Sequence, residues 1–217
     1  MDLFEAMRTN GTCRDFRPDP VPEDVLYRAF EAARFGPQGG NRQPLSWVVV
    51  RDQELKESLR ELYLGPWRAY IRDRVGVDID DPDAPAFVRN ATRMAYAMAD
   101  IPAIAVLCAD LSRVEVVDRD LDRTSVVGGA SIYPTMQNLA LALRAQGVAT
   151  AVTTLLVGVE DQVKDVLRIP EHLATVAHVM VGYPLKAFPT TLRRRPVEEF
   201  VFADRHGERM FAPAEVD

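Results

Sequence analysis

The stretch from Gly128 to Gly147 constrains the fold more than any other part of this sequence. Two glycines open it, Ser131 can cap the first free amides of a helix, and Pro134 falls in the first turn, where no amide donor is needed. Gly147 supplies the left-handed stop. Apolar residues extend around most of the helix, and Arg144 is its only charge. We therefore predict a buried central helix of about four turns, which the other layers of one core must cover.

Apolar periodicity elsewhere in the chain predicts an alternation of strands and helices in a single domain spanning residues 1–217. With 47% apolar residues the chain can bury one substantial core. Four buried strands are expected at 45–50, 101–108, 148–155 and 173–183, and a short fifth one within 197–202. Helices are expected at 2–8, 23–35, 53–64, 67–74, 85–99 and 159–169, with Gly65-Pro66 ending the third.

The overall charge and the cysteines exclude several classes of protein. The chain has 32 acidic and 26 basic residues, a net charge of -6, which argues against a general nucleic-acid binder. Cys13 and Cys108 are far apart and have no partners at ligand spacing, so neither a disulfide framework nor a metal site is predicted. The first five residues show no basic segment followed by an apolar run, so no targeting signal is expected, and no uninterrupted apolar stretch approaches about 18 residues. We expect a soluble, cytoplasmic protein that does not bind membranes.

Polar segments next to the predicted strands are the candidates for binding. Thr9–Arg14 is rich in groups that can bind an anion, and Arg14 can grip a phosphate, although an ordinary helix stop fits equally well. The constrained loop 35–44 can bring backbone close to a flat ligand, and Thr153 and Thr154 end a strand. A tail of three arginines follows at 193–195. Residues 67–100 form an excursion that is either a movable cover over a site or a surface ornament.

The usual signatures of nucleotide-binding loops and of nucleophilic catalysis are absent from the sequence. It contains neither the Gly-x-Gly-x-x-Gly turn nor the Gly-x-x-x-x-Gly-Lys-Ser/Thr loop, and no Ser/His/Asp or Cys/His set has local support. The arginines near both ends of the chain nevertheless suit a flat ligand that carries a phosphate. A bound cofactor is therefore expected to carry the chemistry.

Four segments, in order, resemble motifs of the nitroreductase family of flavin enzymes. Residues 12–22 are similar to the family's Arg-Arg-Ser-x-Arg-x-Phe opening and the Pro-Val that follows, and Gly36–Pro44 to its Ala-Pro-Ser-x-x-Asn-x-Gln-Pro-Trp loop. The segment 137–150 resembles its Gln-Asn-Leu helix and the next strand. Gly182-Tyr183-Pro184 and 194–199 resemble its closing Gly-Tyr-Pro and Arg-x-Pro-Leu-Glu-Glu. Each motif is weak alone, but four in the right order are specific.

The resemblance implies an α+β fold, a mixed β-sheet flanked by helices around the central buried helix, in an intertwined homodimer. One FMN would lie at each of two sites between the subunits. In the family the opening arginines and serine bind the phosphate and ribityl chain, which carries over to Thr12 and Arg14. The family's paired arginines correspond to Asn10 and Gly11, so the tail becomes more important. There the closing arginine corresponds to Arg194, with Arg193 as a helper.

The resemblance also places two loops at the flavin ring. Pro37, Gln38 and Gly39 would reach the FMN of the partner chain, with Asn41 and Gln43 fixing that loop. Three residues at the end of the third predicted strand would lie against the ring: Thr153, Thr154 and Leu155. A Thr hydroxyl at the flavin N5 would favour single-electron steps, whereas a backbone amide there would suit hydride transfer, and both remain open.

The activity implied is an FMN-dependent oxidoreductase. NAD(P)H, the co-substrate, would pass a hydride to the flavin, and a small electron-poor substrate, nitroaromatic or quinone-like, would then be reduced. No side chain is identified that must act as a general acid, so solvent is expected to supply protons. The alternatives are a flavin-binding protein without turnover, for storage or sensing, a deiodinase-like reductive flavoenzyme, and a structural dimer without flavin.

Overall fold

The computed structural model describes residues 1–212, which form a sheet of four strands packed between six α-helices. The strands are β1 (Leu45–Val50), β2 (Ala103–Asp110), β3 (Ala149–Thr153) and β4 (Leu173–Gly182). The helices are α1 (Leu3–Thr9), α2 (Glu23–Ala33), α3 (Gln53–Val75), α4 (Ala86–Tyr96), α5 (Tyr133–Ala145) and α6 (Glu160–Leu167). The predicted α+β class is confirmed, and the four main strands lie within two residues of their predicted bounds.

The strand order is β1-β2-β4-β3, and every neighbouring pair is antiparallel. The resemblance implied a mixed sheet, yet parallel pairing within residues 1–212 is limited to one bridge, between Thr12 and Thr150. The N-terminal segment runs beside β3 only briefly, so it adds no full strand. Strand β2 is buried almost throughout because α3, α4 and α6 cover one face of the sheet and α2 and α5 cover the other.

The central helix α5 buries one face, where Leu139 and Leu143 pack against α2 and the sheet. It is shorter than expected, because a 3₁₀ turn over Val127–Ser131 precedes it. The prediction that Ser131 caps this helix is wrong, since its hydroxyl accepts a hydrogen bond from the Gly39 amide at 3.1 Å. Tyr133 is 42% exposed, so part of the helix faces away from the core of this chain.

Helix α3 runs for 23 residues, straight through the Gly65-Pro66 pair that the sequence analysis took as its end. Proline in a helix interior removes a hydrogen bond and costs about 3 kcal/mol. Tyr63, Trp67 and Ile71 fall on one buried stripe across this point, and their burial offsets that cost. The helix ends instead at Gly76, whose φ of 78° provides the left-handed cap.

The excursion after α3 is attached to the rest of the domain. Arg68 pairs with Asp78 at 3.0 Å and with Asp80 at 2.9 Å, and the Tyr96 hydroxyl also donates to Asp80. The indole of Trp67 donates to Thr92 at 3.0 Å, which joins α3 to α4. These contacts hold α4 over one side of the domain.

The chain after β4 contains no strand within residues 183–212, so the predicted fifth strand is wrong. A 3₁₀ turn forms at Val197–Glu199, and Phe202 makes a single bridge to Arg209. Within the described residues this segment pairs with none of the four strands of the sheet. None of the helices within residues 1–212 is both long and apolar enough to cross a membrane.

Candidate functional site

A cavity of about 620 Å³ lies between the segment after α1, helix α4 and the chain that follows β4. Its wall includes Arg14 from one end of the chain and Arg194 from the other. Asn10 and Thr12 line it too. Four of the predicted site residues, from segments that are distant in sequence, therefore meet at one cavity.

Backbone hydrogen bonds explain why the two ends of the chain meet there. The Cys13 amide donates to Thr150 in β3 at 2.9 Å, and the Arg17 amide donates to Tyr183 at 2.8 Å. The Leu185 amide, in the chain that follows β4, donates to the backbone carbonyl oxygen of Asp15 at 2.9 Å. The N-terminal segment is thus pinned between β3 and the chain leaving β4, and both flanks of the cavity are held by main-chain groups.

The cavity is strongly basic although the whole chain is acidic. Its wall carries four cationic side chains, Arg14, Arg93, Lys186 and Arg194, and one carboxylate, Asp15. Arg93 and Lys186 both pair with that carboxylate, at 2.7 and 3.3 Å. Arg14 and Arg194 make no ion pair with any residue in 1–212. Two guanidinium groups therefore face the cavity with no carboxylate partner, which suits a phosphate or another anion.

Titratable groups in the wall have shifted pKa values. Hydrogen bonding from Arg93, which outweighs the opposing effect of burial, lowers the pKa of Asp15. Burial raises the pKa of the Cys13 thiol, whose Sγ donates to the Asp15 carbonyl oxygen at 3.2 Å. At neutral pH the wall therefore holds an ionised Asp15 and a neutral thiol, and neither shift favours a proton-donating acid.

Thr153 ends β3, Thr154 and Leu155 follow it, and all three lie outside the cavity wall. The Thr153 hydroxyl accepts a hydrogen bond from the Leu155 amide at 3.2 Å. The buried Tyr63 of α3 lies near this group. Burial raises the pKa of its phenol, while the Thr153 hydroxyl and the charge of Arg14 oppose that rise. Tyr63 belongs to the hydrophobic core and does not line the cavity.

The loop with Pro37, Gln38, Gly39 and Asn41 does not line this cavity in the same chain. It packs at the start of α5, where the Gly39 amide donates to Ser131. Asn41 has a φ of 52°, a left-handed conformation that costs energy for a non-glycine residue. Arg193 also lies outside the wall, and its carbonyl oxygen accepts a hydrogen bond from Arg194.

Helix α4 contributes wall residues that the sequence analysis missed. Phe87, Asn90 and Arg93 are spaced three apart, so they share one face of the helix, and all three line the cavity. Lys186 was missed as well. The sequence analysis predicted a helix at 85–99 but assigned it no site residues, because a spacing of three shows that residues share a face and not what that face meets.

Known proteins resemble this chain both in sequence and in fold. The sequence model of the nitroreductase family matches residues 8–183. An NADH dehydrogenase of Thermus thermophilus is 30% identical, over 93% of this chain and 95% of that protein. A nitroreductase with bound FMN from Desulfitobacterium hafniense has a TM-score of 0.67 at 20% identity, covering 94% of this chain and all of the other. Iodotyrosine deiodinase bound to FMN and 3-iodo-L-tyrosine has a TM-score of 0.69 at 17% identity, covering 93% and 100%.

Proposed function

The chain belongs to the nitroreductase family, and from that premise we propose that it is an FMN-dependent oxidoreductase that uses NAD(P)H to reduce a small electron-poor molecule. The observation that carries the proposal is the meeting of Arg14 and Arg194 at one basic cavity in an acidic chain. The nitroreductase structure with FMN and the NADH dehydrogenase relative support the choice of cofactor and of electron donor.

The residues of the cavity fit FMN. Its volume lies within the range of about 300–1,000 Å³ that is usual for cofactor and small-molecule sites. Arg14 and Arg194 offer the planar forks that bind phosphate oxygens in pairs, and Thr12 offers a hydroxyl for the phosphate or the ribityl chain. Gly11 keeps the wall tight, because a Cβ there would lie 3.1 Å from the Leu192 side chain.

When bound, FMN would supply the chemistry, accepting electrons from NAD(P)H and passing them to the substrate. The chain's own contribution is binding and orientation. The Thr153 hydroxyl, which accepts a hydrogen bond from the Leu155 amide, would be a donor toward the ring. Such a fixed donor would stabilise negative charge on a reduced ring.

We propose that water supplies the protons taken up by the substrate. Asp15, the carboxylate in the cavity wall, has a lowered pKa and is ionised at neutral pH. Cys13 is a neutral thiol whose proton is directed at a backbone oxygen. Replacing Cys13 with Ser or Tyr63 with Phe should leave substrate reduction proportional to flavin reduction. A variant of a single wall residue that stops the first and spares the second would contradict this step.

The homodimer is part of the proposal. Apolar side chains on the surface of this chain, Leu3, Phe4 and Met7 on α1 and Tyr133 on α5, are between 42% and 68% exposed and would suit burial against a second copy. The loop with Pro37, Gln38 and Gly39 does not reach its own cavity, so we infer that it serves the cavity of the partner. A cytoplasmic location also remains a prediction, in keeping with the unpaired Cys13 and Cys108.

The direct test uses the purified protein. We expect a yellow protein with the spectrum of oxidised FMN, eluting as a dimer in size-exclusion chromatography with light scattering. Anaerobic addition of NADH or NADPH should bleach the yellow colour at least as fast as the enzyme turns over. A nitroaromatic or quinone should then restore the colour. A colourless protein that takes up no FMN would contradict the proposal, and a yellow one that neither donor bleaches would indicate storage or sensing.

The two arginines can be tested separately from turnover. Arg14→Gln and Arg194→Gln should each raise the Kd for FMN about tenfold or more, the usual effect of losing a hydrogen bond between charged groups. Arg60→Gln is a matched control, because Arg60 lies on α3 outside the cavity and pairs with Glu61 at 2.7 Å. FMN fluorescence quenching gives the three constants. An unchanged Kd in both arginine variants would show that the FMN phosphate does not bind in this cavity.

Complementation tests the shared site. A chain with Arg14→Gln lacks a phosphate contact, whereas a chain with Gly39→Trp would have a disrupted loop. If each site uses Arg14 from one chain and the loop from the other, mixed dimers regain one intact site. The assay uses FMN well below the Kd of the Arg14→Gln homodimer, so that neither homodimer is active. Activity recovered on mixing therefore supports the arrangement, and its absence in mixtures shown to contain heterodimers contradicts it.

A second candidate is reductive dehalogenation, which the likeness to iodotyrosine deiodinase favours. The test is release of iodide from 3-iodo-L-tyrosine by the reduced protein, measured beside reduction of a nitroaromatic. Faster iodide release would make dehalogenation the main activity.

A further inference from the structure

The cavity holds more positive charge than a flavin phosphate requires. The proposed function assigns Arg14 and Arg194 to the phosphate, which leaves Arg93 and Lys186 in the wall. Both of these pair with the one carboxylate of Asp15. Two cations thus share a single negative charge, and a net positive charge remains at the α4 side of the cavity.

Arg93 is placed so that it can turn to a ligand. Its guanidinium reaches one carboxylate oxygen of Asp15 through Nε at 3.1 Å and Nη2 at 2.7 Å, and its Nη1 donates to Asn90 at 3.2 Å. The side chain is still 54% exposed. It also lines two smaller spaces beside this cavity, so it is bordered by open volume on more than one side. Ion pairs this exposed contribute little to stability, and a competing anion can replace them.

The same helix face offers a surface for an aromatic ring. Phe87 precedes Arg93 by six residues and is 61% exposed, although it lines the cavity. An exposed Phe beside a guanidinium is matched to a flat apolar ring that ends in an anionic group. Asn90, between them, adds an amide donor.

We propose that Phe87, Asn90, Arg93 and Lys186 form a subsite for the anionic substituent of an aromatic electron acceptor, so that the preferred substrates of this chain carry a carboxylate or similar group. The subsite rests on the proposed function. Arg93 grips the carboxylate through its planar fork, Lys186 adds charge, and Phe87 packs against the ring. The subsite selects the substrate, and it is distinct from the contacts to FMN.

The test compares 4-nitrobenzoate with 4-nitrobenzamide, which have nearly the same shape and differ in charge. The amide withdraws electrons slightly more than the carboxylate does, so intrinsic reactivity favours the neutral compound. We expect kcat/KM of the holoenzyme for 4-nitrobenzoate to exceed that for 4-nitrobenzamide about tenfold. The Arg93→Gln variant should lower this ratio about tenfold through KM for the benzoate, and the control Arg60→Gln should leave the ratio and the activity unchanged.

Asp15 provides a variant with the opposite expected sign. It competes with the substrate for Arg93 and Lys186, so Asp15→Asn should tighten 4-nitrobenzoate binding several-fold. Titration calorimetry of the purified protein with 4-nitrobenzoate measures this without turnover. If Arg93→Gln and Asp15→Asn both weaken binding, the pair is structural and the subsite is wrong.

Two further results separate the subsite from the proposed function. A wild-type flavoprotein that is reduced normally by NADH or NADPH, yet shows no preference for the benzoate in kinetics or calorimetry, overturns the subsite alone. A protein that is not reduced by either donor, yet binds 4-nitrobenzoate in the pattern above, overturns the proposed function alone. An FMN Kd raised tenfold by Arg93→Gln would assign Arg93 to the cofactor and also overturn the subsite.

Discussion

His178 should make the stability of this protein sensitive to mild acid. The side chain lies in β4, opposite Val106 of β2 and Thr153 of β3, and is fully buried. Neither ring nitrogen has a hydrogen-bond partner within the described residues. Burial, with no opposing charge, lowers the pKa of His178 to about 4. The variant His178→Leu keeps a similar side-chain volume and removes the titrating group.

The size of the effect follows from the difference between the folded and unfolded pKa values. The folded state resists protonation down to about pH 4, whereas an unfolded histidine takes up a proton below about 6.5. Stability is therefore complete above pH 6.5 and is lost as the pH falls toward 4. At about 1.4 kcal/mol for each pH unit between these values, the loss reaches about 3 kcal/mol.

Urea unfolding followed by circular dichroism, at fixed protein and FMN concentration, checks this between pH 7.5 and 4.5. At pH 7.5 the variant should lie within about 1 kcal/mol of the wild type, because an apolar replacement of similar shape is nearly neutral. At pH 4.5 it should be the more stable of the two by about 2 kcal/mol or more. His206→Gln, at an exposed histidine, should follow the wild type. Parallel curves for wild type and His178→Leu would refute the reasoning.

The remaining predictions concern the framework. Gly36→Ala should destabilise the fold by about 2 kcal/mol in urea unfolding, since the new Cβ would meet the Thr135 backbone nitrogen at 2.6 Å. Gly65→Ala, in the middle of α3, should change the free energy of unfolding by less than about 1 kcal/mol in the same assay, because the gain in helix propensity is opposed by contact between the new Cβ and the Pro66 ring. Asp118 accepts hydrogen bonds from three donors in the loop before α5, so Asp118→Asn should speed tryptic cleavage at Arg119, and an unchanged rate would contradict this.

The strands could be predicted because they are encoded by continuous apolar runs. The predicted bounds 45–50 agree with those of β1, Leu45–Val50. The continuous apolar runs of β2 and β4 likewise favour buried strands. Helix α3 shows the limit of local rules. Gly65-Pro66 is a strong local stop, but the stripe of Tyr63, Trp67 and Ile71 is buried by residues far away in sequence, and that burial outweighs the stop.

The site shows the same division. Thr12 and Arg14 could be proposed from their own segment, because the polar residues after α1 have an evident use. Arg93 could not, since it acquires its place only when α4 packs over the cavity and Asp15 holds it there. Ser131 is a related case. Its position favoured a helix cap, but the nearby Gly39 amide competes for the same hydroxyl.

The departure from the family's opening motif becomes intelligible in three dimensions. The resemblance places the family's paired arginines at Asn10 and Gly11, and neither residue supplies a cation to the cavity. The tail packs against that point, so closely that a Cβ at Gly11 would lie 3.1 Å from Leu192 and 3.3 Å from Pro189. A long side chain at position 11 would push the tail away, and the tail is the segment that places Arg194 in the cavity wall. Glycine at position 11 thus allows the tail to bring Arg194 to the cavity, which stays basic without a cation at positions 10 and 11.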